Sequence, residues 1–196
     1  MIEPKEVAAF FDRLAACWDE KQEREEAVIE AILDHARIEP GVDVLDVACG
    51  TGVLIPDYLR RGARSVTGVD LSQKMSAIAE NRFQKDGRVR ILCADAEKAP
   101  LPRTYDRIVI FNALPHFADP ERLIAHLSAY LKPGGFLTVA HDRSRERTNA
   151  HHKGMPDTLA CDLMPADALA ERFSGTLTVL DVIDTDRMYQ VVGQKN

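Results

Sequence analysis

The sequence predicts an α/β protein: a doubly wound, seven-stranded, mostly parallel sheet with an antiparallel C-terminal strand and helices that cover it at the N-terminal end. Three observations carry this prediction. Short apolar runs alternate with segments of helical periodicity, the pattern of repeated βαβ units with right-handed crossovers. The first apolar run leads directly into a glycine-bounded turn, "VLDVACGTG" at 44–52. The last two apolar runs lie too close together for a helical crossover, so they form an antiparallel hairpin.

From Pro4 to about Ala36 the periodicity is helical, with Val7, Phe10, Phe11 and Leu14 on one face and Ala27, Val28, Ala31 and Ile32 on a later one. Trp18, beside Asp19 and Glu20, reads as a helix end or turn. The Pro40–Gly41 pair ends this entry, and Val42, Val44, Leu45 and Val47 form a buried strand. A helix then runs toward Arg61 with Pro56 in its first turn, where a missing N–H costs no hydrogen bond. Ser65 to Val69 is a strand, Gln73 to Lys85 a helix, Val89 to Cys93 a strand and Arg107 to Phe111 another, after a proline-bounded loop at Ala99 to Arg103. Glu121 to Leu131 is helical, Lys132 to Gly135 a turn, and Phe136 to Ala140 a strand. Residues 165–173 read as a further helix, followed by strands around Leu177 to Val182 and Tyr189 to Val192.

The 196 residues suit one domain, and 45% hydrophobic with 29% charged residues is an ordinary balance for a water-soluble protein. A net charge of −6 argues against a broad electrostatic grip on nucleic acid. Cys17, Cys49, Cys93 and Cys161 form no CxxC pair and suggest reduced thiols, as in a cytoplasm. Charges at Lys5, Glu6, Asp12, Arg13 and Asp19 interrupt the N-terminal apolar residues, so no targeting segment or membrane span is expected there. Oligomeric state leaves no trace in the sequence.

In an open parallel sheet, ligands settle beyond the carboxyl ends of the strands. After the first strand, Ala48, Cys49, Gly50, Thr51 and Gly52 make a turn against which a ligand can lie close to the backbone. Dinucleotide cofactors exploit similar turns, but Ile55 stands where their fingerprint has a third glycine, which weakens a nucleotide-dependent oxidoreductase reading. Asp70 ends the second strand in "VTGVDLS". With Ser72 available as the helix cap, the Asp70 carboxylate is free to accept hydrogen bonds from a ribose diol. Asp95 follows the third strand, where it can accept from an adenine amino group beside the Ala96 amide.

Taken in order, these motifs resemble the class I S-adenosylmethionine-dependent methyltransferases, particularly the small-molecule branch with the ubiquinone and menaquinone biosynthesis enzymes. "YDRIVIFNALPHF" at 105–117 and "LKPGGFLTVA" at 131–140 resemble that family's fourth-strand motif and the helix-turn-strand after it. The resemblance implies a Rossmann-like sheet and binding of S-adenosylmethionine, with S-adenosylhomocysteine as product. It also implies that Asp46 orders the glycine turn, that Ala48, Gly50 and Gly52 flank the methionine moiety, that Asp70 and Leu71 meet the ribose end, and that Asn112 contacts the cofactor. Phe10, Phe11 and Trp18 stand where such enzymes carry a lid. The implied division is a helical lid at 1–38, a cofactor-binding core at 42–140, a substrate-side insertion at 141–165 and a C-terminal helix and hairpin at 166–196.

Such an enzyme aligns a nucleophile behind the methyl group and excludes water, so no protein nucleophile is needed. The expected partner is a small organic acceptor with an O, N, S or C nucleophile. A non-catalytic S-adenosylmethionine-binding module is the alternative from another class. Where the acceptor carries a proton, His116 and His141 are the candidate bases. His141, Asp142, His151 and His152 match no standard metal-ligand spacing, so the expectation for this stretch is a solvated polar loop with no metal. Arg143, Arg145, Arg147 and Lys153 are diluted by Asp142 and Glu146, and a solvated helical face is expected for them. Cys49 reads as a small buried neighbour of the cofactor rather than a nucleophile.

Overall fold

The computed structural model describes residues 1–21 and 23–196. Helix α1 (Pro4–Leu14) and two short 3₁₀ turns (Ala15–Cys17 and Asp19–Lys21) lead to α2 (Glu26–His35) and the first strand, β1 (Asp43–Val47). Then come α3 (Ile55–Arg60), β2 (Ser65–Asp70), α4 (Gln73–Phe83), β3 (Val89–Cys93) and β4 (Tyr105–Phe111). A 3₁₀ turn (Leu114–His116), α5 (Pro120–Ala129), β5 (Leu131–His141), α6 (Arg145–His152), α7 (Ala166–Phe173), β6 (Thr178–Asp184) and β7 (Tyr189–Gln194) complete the chain.

The seven strands lie in the order β3-β2-β1-β4-β5-β7-β6. Pairs among β1 to β5 are parallel, and β7 runs antiparallel to both β5 and β6. The chain moves outward from β1 to β3 and then returns to the other side of β1 as β4. That reversal opens the crevice beyond the carboxyl ends of β1 and β4 in which ligands of such sheets bind.

All five residues of β1 are buried, and their alternation divides the core. Leu45 and Val47 pack with Ile108, Leu123, Leu127 and Leu169 on one face, under α5 and α7. Val44 packs with Ile29, Leu33, Ile55 and Tyr58 on the other, under α2 and α3. With about 25 cal/mol per Å² of apolar surface removed from water, these two layers supply the main driving force for folding. At the amino end of β1, Asp43 accepts hydrogen bonds from Ser65 Oγ (2.6 Å), Arg64 Nε (3.0 Å) and Lys132 Nζ (3.0 Å), which ties β1, β2 and β5 together.

Helix starts follow local chemistry. The Ser72 hydroxyl accepts from Met75 N at 3.1 Å and caps α4, as its position predicts. Asp119 and Ser144 cap α5 and α6 in the same way. Pro56 falls in the first turn of α3.

Two expectations need correction. The turn expected at Lys132 to Gly135 lies within the bounds of β5 as an irregularity: Tyr105 pairs with Leu131, but Arg107 pairs with Phe136. Gly134, at φ 75°, and the neighbouring Gly135 let the strand loop out and rejoin β4. The stretch expected as a solvated loop is instead the helix α6, because Ser144 caps it and buried Thr148 anchors it from within.

Candidate functional site

A cavity of about 510 Å³ opens beyond the carboxyl ends of β1, β2, β4 and β5. Its floor is the turn after β1. Ala48 adopts φ 56°, Gly50 φ 57° and Gly52 φ 84°, so this turn takes three residues at positive φ, one of which carries a Cβ. Gly50 lines the cavity, and a Cβ added there would come within 3.7 Å of Trp18 Nε1.

Gly52 does something different from what its motif position suggests. It has φ 84°, and a Cβ there would stand 2.5 Å from the Phe83 ring, so this glycine permits packing of α4 rather than approach of a ligand. It does not line the cavity.

The carboxylate that orders the turn is Asp70. Its Oδ2 accepts from Gly50 N at 2.8 Å and its Oδ1 from Ser72 N at 2.8 Å. Burial raises its pKa, against the lowering effect of those two amides. Each carboxylate oxygen has a second lone pair, so these two backbone bonds do not exhaust the group, and Asp70 lines the cavity. Asp46 lies beneath, wholly buried, with only a long contact from Tyr58 Oη at 3.4 Å. Burial pushes its pKa up to about 8, and the nearby Asp70 charge adds to that. Asp46 also lines the cavity, and the Gly50 amide bonds to Asp70 rather than to Asp46.

Asp95 and Ala96 line the adjoining wall with Leu71. Asp95 Oδ1 accepts from Glu97 N at 3.0 Å, and its Oδ2 accepts from Lys98 Nζ at 3.0 Å. Asn112, at φ 53°, is locked to the end of β5: its Nδ2 donates to Asp142 Oδ1 at 3.0 Å, and its Oδ1 accepts from Asp142 N at 3.2 Å. Each end of that amide makes one of these bonds and keeps a second N–H or lone pair, and Asn112 lines the cavity. Burial raises the Cys49 thiol well above its ordinary pKa, which keeps it protonated beside the cavity.

The N-terminal segment roofs the cavity. Trp18 and Phe11 meet edge to face at 5.5 Å, and both line it. Two carboxylates hold this roof on the motifs below. Asp12 accepts from Ser72 Oγ (2.5 Å) and Lys74 N (3.0 Å). Asp19 accepts from Thr51 Oγ1 (2.5 Å) and pairs with Arg82, whose guanidinium also donates to Thr51 O. These latches were not legible in the sequence, since Asp12 looks like an ordinary charge on a helix face and Asp19 like one at a helix end or turn.

Past β4 and β5 the wall is built from His116, His141, His151 and His152, with Arg143 and Met155. His116 Nδ1 donates to Leu159 O at 2.8 Å, because a carbonyl oxygen only accepts. Its other nitrogen, Nε2, therefore carries the lone pair. His141 is 2% exposed, and its Nε2 has no hydrogen-bond partner. The segment over His116 is sewn to the roof: Glu3 N donates to Thr158 O at 2.9 Å, and Thr158 Oγ1 donates to Glu6 Oε2 at 2.6 Å. Among the described residues, no three His, Cys, Asp or Glu side chains are grouped so as to hold a metal ion. Nor is any helix among them long and apolar enough to cross a membrane.

Comparison with known proteins agrees with this geometry. Residues 44–135 match the model of a methyltransferase domain. The chain is 30% identical over 148 residues to a ubiquinone biosynthesis O-methyltransferase of Leptothrix cholodnii, a match covering 70% of this chain and 63% of that one. It is 32% identical over 142 residues to a ubiquinone/menaquinone biosynthesis C-methyltransferase of Bordetella avium, covering 68% and 56% respectively. The chain thus spans less than two thirds of the length of either relative. In fold, it is similar to a chain of the complex between the Haloferax volcanii Trm112 methyltransferase activator and a putative methyltransferase (TM-score 0.80, 20% identity, 96% and 97% covered). It is also similar to the N-methyltransferase NodS of Bradyrhizobium japonicum in complex with S-adenosylhomocysteine (TM-score 0.72, 14% identity, 96% and 98% covered). The strand order, the turn after β1 and these relatives agree with the resemblance to the class I S-adenosylmethionine-dependent methyltransferases that the sequence motifs carry.

Proposed function

We propose that this protein transfers a methyl group from S-adenosylmethionine to an O, N, S or C nucleophile of a small organic acceptor. The observation that supports it most is the placement of Asp70: one carboxylate organises the Gly50 turn and borders the roofed cavity at the sheet's switch point. In this reading Asp70 also accepts from the ribose diol, next to Leu71, while Asp95 and the Ala96 amide address the adenine. The backbone at Ala48, Gly50 and Asn112 borders the methionine portion, and Trp18 closes over it. The donor set fits, because it combines carboxylates for hydroxyls with left-handed turn backbone for an amino-acid tail.

S-adenosylmethionine supplies an activated methyl group on its sulfonium. As the acceptor's lone pair forms the new bond, the C–S bond breaks and its electrons remain on sulfur. The chain's part is to align the acceptor, to exclude water under the α1 roof and to take any proton released. His116 is the residue placed for that last task, through Nε2. His141 stands behind it as a second candidate. The segment at 141–165 forms the acceptor side, the stretch at 1–38 the lid, and the protein works in the cytoplasm.

Calorimetric titration tests this. S-adenosylhomocysteine is expected to bind and NAD is not. Binding of NAD alone would establish the oxidoreductase alternative. Tight S-adenosylhomocysteine binding with no consumption of S-adenosylmethionine across phenols, thiols and amines would establish a non-catalytic binding module.

A further inference from the structure

The cavity is polarised along the sheet. The carboxylates that line it, Glu23, Asp46, Asp70, Asp95 and Glu97, come from the N-terminal segment, from β1 and from the ends of β2 and β3. Across β1, on the β5 side, stand His141 at the end of β5, Arg143 just after it and His152 at the end of α6. Arg143 is the one arginine or lysine among the described residues that line the cavity. Expected on a solvated helical face, it instead precedes α6, and its side chain is 30% exposed. Among the described residues it makes one hydrogen bond, from Nε to Asp142 Oδ1 at 3.4 Å, which leaves both Nη groups unspent. His141 Nε2 and His152 Nδ1 are buried without a partner, and His141 is 2% exposed. Buried polar nitrogens are nearly always paired, so these two point to a guest that enters the cavity.

We propose that this wall is a subsite for a carboxylate carried by the methyl acceptor: Arg143 supplies the charge through its Nη groups, and His141 Nε2 and His152 Nδ1 each donate an N–H to the carboxylate oxygens. The proposal rests on the methyl-transfer reading above and narrows its acceptor. The planar guanidinium fork matches a carboxylate. A neutral imidazole carries one N–H, on whichever nitrogen finds an acceptor, so the guest draws the proton of His141 onto Nε2 and that of His152 onto Nδ1. A carboxylate engaged in this way has its lone pairs occupied and anchors the acceptor, while a separate nucleophilic atom faces the methyl group. Both histidines then bind the acceptor, and neither takes its proton.

The electrostatics set the orientation. Burial holds the pKa of His141 down to about 3 and that of His152 to about 4, and the Arg143 charge adds to the lowering in both. The two histidines are therefore neutral donors near neutral pH, within the field of Arg143. The other groups facing them are His116 and His151. Asp142, the acid beside Arg143, already accepts from Asn112 Nδ2 at 3.0 Å. Repulsion from Asp70, Asp95 and Glu97 disfavours an anion at the other end, so the acceptor enters with its carboxylate toward β5. Its body has Phe11, Phe117 and Met155 to lie against.

The test compares 2-naphthoate, 2-naphthamide and 2-naphthylmethylammonium, one skeleton in three charge states, binding to the intact protein saturated with S-adenosylhomocysteine. The expected result is that 2-naphthoate binds about tenfold or more tightly than either of the others. Arg143→Gln should abolish that preference while leaving S-adenosylhomocysteine affinity within about twofold of wild type. His152→Phe should reduce the preference, and it decides the matter if Arg143→Gln does not fold. Arg147→Gln removes an equal charge from an exposed position of α6 outside the cavity and should keep the preference. A wild-type preference below about tenfold, including no binding of any of the three, overturns the carboxylate subsite alone. So does a preference that survives in the folded Arg143→Gln or His152→Phe protein, or one that Arg147→Gln lowers as much as Arg143→Gln does. Failure of the wild-type protein to bind S-adenosylhomocysteine overturns the methyl-transfer reading and this assignment with it.

Discussion

The amide of Gly50 donates to the carboxylate of Asp70 across 2.8 Å, so the end of β2 fixes the turn that follows β1. A hydrogen bond to a charged group contributes about 1.5–3 kcal/mol. Asp70→Ala is therefore expected to weaken S-adenosylhomocysteine binding by about tenfold or more, 1.4 kcal/mol per factor of ten. His116→Ala should leave that affinity nearly unchanged. The two duties of Asp70 separate with an analogue lacking the 2′ and 3′ hydroxyls: if Asp70 holds the diol, the gap between wild type and Asp70→Ala narrows for the analogue. An unchanged gap would falsify the ribose contact and leave only the turn.

Asp46 gives the protein a distinctive pH dependence. Its folded-state pKa lies near 8, well above that of an unfolded aspartate, so its contribution to stability is complete below the unfolded value. That contribution is lost as pH rises through about 8. Asp46→Asn removes this proton linkage, and thermal melts from pH 5.5 to 9 should show a flatter alkaline decline for the variant than for wild type. Parallel curves would mean that Asp46 remains charged in the folded protein.

Ala48 holds φ 56°, where its Cβ crowds the following carbonyl. Ala48→Gly should relieve about 1 kcal/mol of that strain, offset in part by the greater freedom of glycine in the unfolded chain. The net expectation is a small rise in the urea midpoint with an unchanged slope. A lower midpoint would show that the methyl group packs usefully against the core.

Gly52→Ala should do the opposite. The new methyl would meet the Phe83 ring at 2.5 Å in a residue with φ 84°, and overpacking of this kind costs about 1–3 kcal/mol. The variant should melt several degrees lower, and Phe83→Leu in the same chain should recover part of the loss.

Loss of the Asp19 latch is expected to change retention of the cofactor more than its fit. Asp19→Ala removes the bonds to Thr51 Oγ1 and Arg82 while leaving the cavity wall intact. Stopped-flow measurement should show faster S-adenosylhomocysteine dissociation by about tenfold with a smaller change in association. Equal dissociation rates would mean that the roof does not gate the site.

Much of the fold was legible because the strands advertise themselves by burial. Val44 to Val47 is an unbroken apolar run apart from Asp46, and the short spacing between Val182 and Tyr189 admits only a hairpin. Ser72 could be identified as a cap because capping is local. The roles within the glycine motif were less legible: whether Asp46 or Asp70 holds the Gly50 amide depends on how β1 and β2 align, and whether Gly52 faces a ligand or Phe83 depends on where α4 crosses. The histidine wall was hidden for the same reason. His116, His141 and His152 are distant in sequence, and the polar composition of α6 gives little sign that His152 at its end meets the His116 ring.

The Glu3–Thr158 and Glu6–Thr158 bonds join the two coverings of the cavity, one from the beginning of the chain and one from the stretch before α7. Joined in this way, neither covering can move away from the cavity without breaking its bonds to the other. On the methyl-transfer reading proposed above, the departing thioether and the methylated product would then share a single exit, and its opening rate would bound turnover.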